Sequence, residues 1–210
     1  MCGNALPRAT LGRLPGYLEY VRGLRAAGEK NTSATAVARA LGLGEVQVRK
    51  DLGAVSGAGK PKTGYRVDDL INALEERLGV HRKTTAILVG AGELGRALLN
   101  YEGFAEYGTE IVAAFDISPE KTGLSQSGKP IYPMERLEAF LQAHPAAIGI
   151  ITVPASAAQQ VCDRLVESGV RALWNFAPVN LRAPAGVIVQ RENLALSLAC
   201  LNGQRNGLIE

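Results

Sequence analysis

Apolar residues recur at two different spacings along this chain, and the change of spacing divides it. In the first third the period is helical. Leu14, Leu18, Val21 and Leu24 form one stripe, which Pro15 is expected to open and Gly28 to end. Ser33 reads as the N-cap of a second helix with Val37, Ala40 and Leu41 inward. After Gly42-Leu43-Gly44, a third helix runs from about Glu45 to Ala54 on Val48, Leu52 and Val55. A fourth carries Leu70, Ile71, Leu74 and Leu78 and stops at Gly79. Beyond Val80-His81-Arg82-Lys83 the pattern becomes short continuous apolar runs: Ala86–Val89, Ile111–Phe115, Ala146–Val153, Arg171–Trp174 and Val187–Val189. Helical segments at Met134–Ala143 and Ala155–Ser168 separate the later runs. Strands alternating with helices predict a parallel sheet with helices on both faces. The expected architecture is therefore α/β. A winged-helix domain over residues 1–80 precedes a Rossmann-like doubly wound sheet over 84–210. The last helix, Asn193–Leu201, is apolar on every side and predicts burial against a partner subunit.

Charge sharpens the division. Net charge is only +3, yet residues 1–66 hold eleven Lys/Arg against four acids, leaving residues 67–210 net acidic. A basic segment beside an acidic one suggests a polyanion-binding module joined to something else; a solvated basic face has the same composition. Cys2, Cys162 and Cys200 show no CxxC spacing, which argues against a disulfide framework or zinc site and for a reducing cytoplasm. No apolar run has signal-peptide or membrane-spanning length, so a cytoplasmic location with no membrane partner is expected.

The strand Ala86–Val89 leads into Gly90-Ala91-Gly92-Glu93-Leu94-Gly95, and Asp116 ends the next strand 21 residues beyond Gly95. This is the GxGxxG arrangement. Gly90 permits the tight turn, Gly92 lets a pyrophosphate approach the backbone, and Gly95 allows close helix–sheet packing. The helix start offers free N–H groups to phosphates, and a carboxylate at 116 can accept from an adenosine ribose. Loops at the carboxyl ends of the later strands, Thr152-Val153-Pro154 and Asn175-Phe176-Ala177-Pro178, belong near the same nucleotide.

The third helix turns Gln47, Lys50, Asp51 and Ala54 away from its apolar stripe, with Arg49 beside them. Helix, glycine turn and helix with a Gln/Arg/Lys face is the layout of a helix-turn-helix. Gln can pair with adenine and Arg or Lys with guanine; an ordinary helical hairpin with a charged exterior has the same pattern. Ser56–Tyr65 is rich in glycine and carries Lys60 and Lys62, as a wing or a flexible linker would. The residues expected on DNA are Ser33, Gln47, Arg49, Lys50, Lys60, Lys62 and Tyr65. An NAD-dependent dehydrogenase uses the same fold but needs a general acid/base at the nicotinamide. His81 lies in the linker and His144 before a strand, and no lysine is spaced to assist Tyr101, so no catalytic residue or metal site is predicted.

From about Leu14 to Leu201 the chain resembles the Rex redox-sensing transcriptional repressors. Gln47–Leu52 matches the family's QVRKDL helix, Gly64-Tyr65 the end of its wing, and Gly90–Gly95 its nucleotide turn. Tyr101 with Gly103-Phe104, Ala114-Phe115-Asp116, Pro119–Gly123, Thr152-Val153-Pro154 and Asn175–Val179 are similar to its later signatures. The resemblance implies a homodimer that binds NAD(H), with a C-terminal helix exchanged between subunits. It also implies binding to a palindromic operator and release by NADH. Gly90, Ala91, Gly92, Glu93, Leu94, Gly95, Tyr101, Asp116, Thr152, Val153, Pro154, Asn175 and Phe176 would then hold the cofactor. Three features differ from the family pattern. The wing carries lysines where arginine is usual, Gly53-Ala54-Val55 replaces SYF, and Glu19 and Asn193 stand where some members place an Arg–Asp pair.

Overall fold

The computed structural model describes residues 6–61 and 63–205, so Cys2 and Lys62 lie outside the described residues. The chain divides into two compact units, Met1–Arg82 and Lys83–Glu210.

The first unit is built on four helices: α1 (Arg8–Ala26), α2 (Ala34–Leu41), α3 (Glu45–Ser56) and α4 (Val67–Leu78). Two short strands, β1 (Asn31–Thr32) and β2 (Tyr65–Arg66), pair antiparallel beside them. Leu14, Tyr17, Leu18, Val37, Val48, Leu52, Leu70, Ile71 and Leu74 are fully buried in one cluster. Ser33 caps α2 as its sequence suggests, its Oγ accepting from the Ala36 N–H at 3.1 Å. Two expectations change. α1 begins at Arg8 and runs through Pro15, which sits on the exposed side. There solvent can take over the carbonyl that proline's missing N–H leaves unpaired. In α2 Ala34, Val37 and Ala38 are buried and Leu41 packs against the same cluster, while Ala40 is exposed.

The second unit is a seven-stranded sheet in the order β5-β6-β4-β3-β7-β8-β9. Its strands are β3 (Thr84–Val89), β4 (Thr109–Asp116), β5 (Gly123–Leu124), β6 (Pro130–Pro133), β7 (Ile148–Ile151), β8 (Ala172–Asn175) and β9 (Ile188–Arg191). Every pairing is parallel except β5 with β6. Helices α5 (Glu93–Asn100), α6 (Leu137–Ala143) and α7 (Ala155–Glu167) follow the strands they connect. Side chains of β3 alternate between two cores: Ile87 and Val89 join the cluster that includes Leu137, Leu141 and Leu165, whereas Ala86 and Leu88 join that of Leu99. From β3 the chain builds outward through β4 and β6, then returns to add β7, β8 and β9 on the other side. That reversal places a crevice at the carboxyl ends of β3 and β7, where ligands bind in open α/β sheets. The last helix, α8 (Leu194–Arg205), has no buried residue, and Leu194, Leu196, Leu198 and Leu201 are each about 60% exposed or more. No helix among the described residues is long and apolar enough to cross a membrane.

Candidate nucleotide pocket and nucleic-acid face

The glycine turn after β3 is held from three sides. Gly90 adopts φ +106°, and its N–H donates to the Phe115 carbonyl at 2.8 Å. The Thr152 hydroxyl, just beyond β7, donates to the Gly90 carbonyl at 2.8 Å. α5 packs so closely that a Cβ on Gly95 would stand 1.9 Å from the Gly90 oxygen and 3.0 Å from Thr152 Oγ1. No alternative residue fits there without moving the turn. The Arg96 Nε closes the loop from behind by donating to the Ala91 carbonyl at 3.1 Å.

Asp116 is almost fully buried at the end of β4. Its Oδ2 accepts from the Ala91 N–H at 2.6 Å and its Oδ1 from the Ser118 N–H at 2.9 Å, while Lys121 Nζ lies 3.5 Å from Oδ2. The carboxylate therefore braces the glycine turn as well as facing the crevice. Beside it opens a cavity of about 630 Å³ lined by Gly90, Gly92, Asp116, Lys121, Thr152, Val153, Pro154, Gln160 and Arg164, among others. Six of the expected cofactor residues thus share one cavity. Ala91 and Gly95 are buried behind the turn, and Glu93 and Leu94 lie exposed on the first turn of α5.

The remaining three fall elsewhere. Asn175 is fully buried, its amide donating to the Ala177 and Val179 carbonyls and accepting from the Ala177 N–H; it shapes the loop after β8. Tyr101 ends α5 at the far end from the turn and does not line the cavity. The residue is 57% exposed. It stacks edge-on to Phe104 (4.9 Å), which meets Trp174 (5.7 Å), which meets Phe176 (4.6 Å). The two aromatic candidates are therefore the ends of one continuous row of rings. Trp174 also donates its indole N–H to Glu192 at 3.1 Å, and the Glu192 N–H donates to the Asn175 carbonyl at 2.8 Å. This row ties the loop after β8 to the residues that precede α8.

On the first unit, α3 exposes Gln47, Arg49 and Lys50 and buries Val48, Leu52 and Val55. Arg49 pairs with Glu45 one turn earlier. Reciprocal backbone bonds between Lys60 and Gly64, both 2.8 Å, close the tip of the wing. A concavity of about 680 Å³ between α2, α3 and the wing is lined by Ser33, Arg49, Lys60 and Tyr65. The structure thus gathers four of the expected DNA residues in one recess, with Gln47 and Lys50 on the exposed face of α3.

Asp51 corrects the sequence reading: it is buried, not outward. Arg13 donates to both of its oxygens, at 2.8 and 3.1 Å, and the Tyr17 and Thr10 hydroxyls donate at 2.8 and 2.9 Å. Burial pushes the Asp51 carboxyl up, but hydrogen bonds from Arg13, Tyr17 and Thr10 outweigh it and hold the group below the ordinary carboxylate range. Burial, and then the bond to Asp51, raise the Tyr17 phenol to about 12. The signal was present, since position 51 falls on the stripe of Val48, Leu52 and Val55. Thr10, Arg13 and Tyr17, three and four residues apart on α1, face it. Arg13 is the residue that sequence reasoning missed. Among the described residues no cluster of three or more His, Cys, Asp or Glu side chains could hold a metal ion.

Two family models match: a CoA binding domain over residues 81–179 and a "Putative DNA-binding protein N-terminus" over residues 5–53. The redox-sensing transcriptional repressor Rex of Bacteroides fragilis is 38% identical over 96% of this chain and 91% of its own. That of Treponema denticola is 39% identical over 98% and 99%, and that of Streptomyces coelicolor 38% over 94% and 77%. The crystal structure of RSP in complex with β-NAD⁺ and operator DNA superposes with TM-score 0.90 at 33% identity, covering 97% of this chain and 94% of that one. The complex of RSP with β-NADH gives TM-score 0.88 at 32% identity, covering 97% and 96%. Identity of this order along nearly the whole length, over both units, places the chain in the Rex family of redox-sensing transcriptional repressors.

Proposed function

We propose that this chain is an NADH-sensing repressor: a homodimer that binds an inverted-repeat operator through the first unit and releases it when NADH occupies the second. The observation that carries this reading is the glycine turn braced by Asp116 at the sheet's reversal point, in one chain with a helix-turn-helix and wing. In this reading the domains are residues 1–80 and 84–210. The pyrophosphate lies over Gly90–Gly95 at the start of α5, and the adenosine ribose faces Asp116. The nicotinamide reaches toward Thr152-Val153-Pro154 and the row of rings from Tyr101 to Phe176. Reduced nicotinamide is neutral and puckered whereas the oxidised ring is planar and cationic, so an aromatic wall can bind the two differently, as any ligand-driven shift requires. Trp174, through Glu192, offers a route from that wall to α8. The exposed leucines of α8 suit exchange with a second copy. Arg49, Lys50, Lys60, Lys62, Ser33 and Tyr65 serve the DNA, the cations through phosphates or guanine edges. Related repressors crystallised with NAD⁺, NADH and operator DNA support the assignment.

The test is a nucleotide panel read by the protein's single tryptophan, Trp174. NADH should quench it with far higher affinity than NADPH or coenzyme A. Tight coenzyme A binding with none of NADH would replace this reading by the one that the CoA-domain match suggests.

A further inference from the structure

The outward face of α3 carries one bulky apolar side chain among its polar ones. Val48, Asp51, Leu52 and Val55 are buried and fix the inward side of the helix. Stepping about 100° per residue puts Val46 opposite that side, one turn before Arg49 and Lys50 and on their face. Val46 is 80% exposed. Among the described residues of the first unit, the other large apolar side chain left exposed is Leu11, at 41%. A single apolar residue in water is ordinary on a protein surface, but this one does nothing for the fold. It belongs to none of the apolar clusters, and valine is a weaker helix former than alanine. Its place in the helix is what gives it a use.

The first turn of a reading helix is the part that meets base edges. Along the major groove the C5-methyl of thymine is the one apolar group that those edges present. Valine's γ-carbons stand on a stiff χ1, so seating them against a methyl group orders little. We propose that Val46 reads the C5-methyl of a thymine in each operator half-site. The proposal rests on the DNA-binding reading given above. Cytosine is disfavoured at that position twice over, because it lacks the methyl and turns its N4–H₂ donor toward a side chain that cannot accept. Arg49 and Lys50 on the same face suit guanine edges or phosphates, so Val46 adds a thymine preference that neither cation supplies.

The experiment is an electrophoretic-shift panel on a duplex that the wild-type chain selects from a random pool. Each thymine of the half-site is replaced singly by deoxyuridine, which removes the methyl and keeps every hydrogen-bonding group. Wild type is compared with Val46→Ala and Val46→Thr. Alanine is the better helix former, so the first variant should fold as wild type by circular dichroism. At one thymine, deoxyuridine should weaken wild-type binding about three- to fivefold, the worth of one buried methyl group. Val46→Ala should bind the unmodified duplex more weakly by a similar factor and be nearly insensitive to deoxyuridine there, since either change removes the same contact. Val46→Thr keeps one γ-methyl and should keep most of the sensitivity. The inference is overturned if no thymine is sensitive in wild type, or if Val46→Ala retains the full wild-type sensitivity at every thymine. A wild-type chain that shifts no duplex fails the DNA-binding reading instead.

Discussion

Replacing Gly95 by alanine adds one methyl group at the tightest point of the nucleotide turn. Its Cβ would lie 1.9 Å from the Gly90 carbonyl oxygen, whereas an unstrained contact needs more than 3 Å, so over an ångström of movement is required. The oxygen cannot yield cheaply. Its residue is pinned by the bonds from the Gly90 N–H to Phe115 and from Thr152 Oγ1 to Gly90, both 2.8 Å. Nor can α5 retreat without carrying away the N–H groups that the proposed pose turns to the phosphates. Overpacking against flexible side chains costs about 1–3 kcal/mol, and rigid backbone puts this case at or above the top of that range. A loss of about 3 kcal/mol confined to nucleotide geometry lowers affinity roughly 100-fold. Tryptophan-quenching titration with NADH measures the loss, and thermal unfolding followed by circular dichroism measures the share taken by stability. The variant should bind operator DNA like wild type while failing to respond to NADH. An alanine variant that binds NADH within threefold of wild type and melts at the same temperature would refute the role given to this turn.

Three further outcomes follow from the structure. Asp51, depressed below its ordinary range, contributes stability above its unfolded pKa near 4 that is lost as pH falls through the lower folded value. Tyr17, raised from 10.0 to about 12, contributes stability that is lost as pH rises through that interval. Asp51→Ala strands the buried Tyr17 hydroxyl and should cost the first unit about 3–5 kcal/mol in urea denaturation and weaken its acid limb; unchanged stability contradicts the network. A 2′-phosphate would meet the buried Asp116 carboxylate, so NADP(H) should bind about 1–3 kcal/mol more weakly than NAD(H). Asp116→Ala should narrow that gap while loosening the turn it braces through Ala91. Replacing Lys60 and Lys62 together by alanine should weaken binding to all duplexes and flatten the salt dependence by roughly two phosphate contacts.

The glycine turn and the buried strands were legible because each rests on local rules: φ freedom at Gly90, close approach at Gly95, and continuous apolar runs where both sheet faces are covered. Ser33 was legible for the same reason, since its cap bond reaches only three residues ahead. What escaped depends on surroundings that the local pattern does not name. Asp51 reads as a surface carboxylate until α1 brings Arg13 and Tyr17 to it across 38 and 34 residues. Pro15 reads as a helix start because its tolerance inside α1 depends on facing solvent. β6 is bounded by Pro130 and Pro133 and gave no strand signal, yet Ile131 lies against Ala114 in the sheet. The bonds from Asn175 to Ala177 and Val179 gave no signal because they are set by a loop conformation that no spacing rule specifies.

The most direct test of the account is an operator titration by fluorescence anisotropy at fixed total nucleotide, with the NADH/NAD⁺ ratio stepped from zero to excess. Wild type should hold the operator in NAD⁺ and release it as NADH rises, and Tyr101→Phe should leave NAD⁺-state binding intact. Operator affinity that stays constant across the whole ratio, with NADH demonstrably bound, would contradict the claim that this chain couples nicotinamide redox state to DNA.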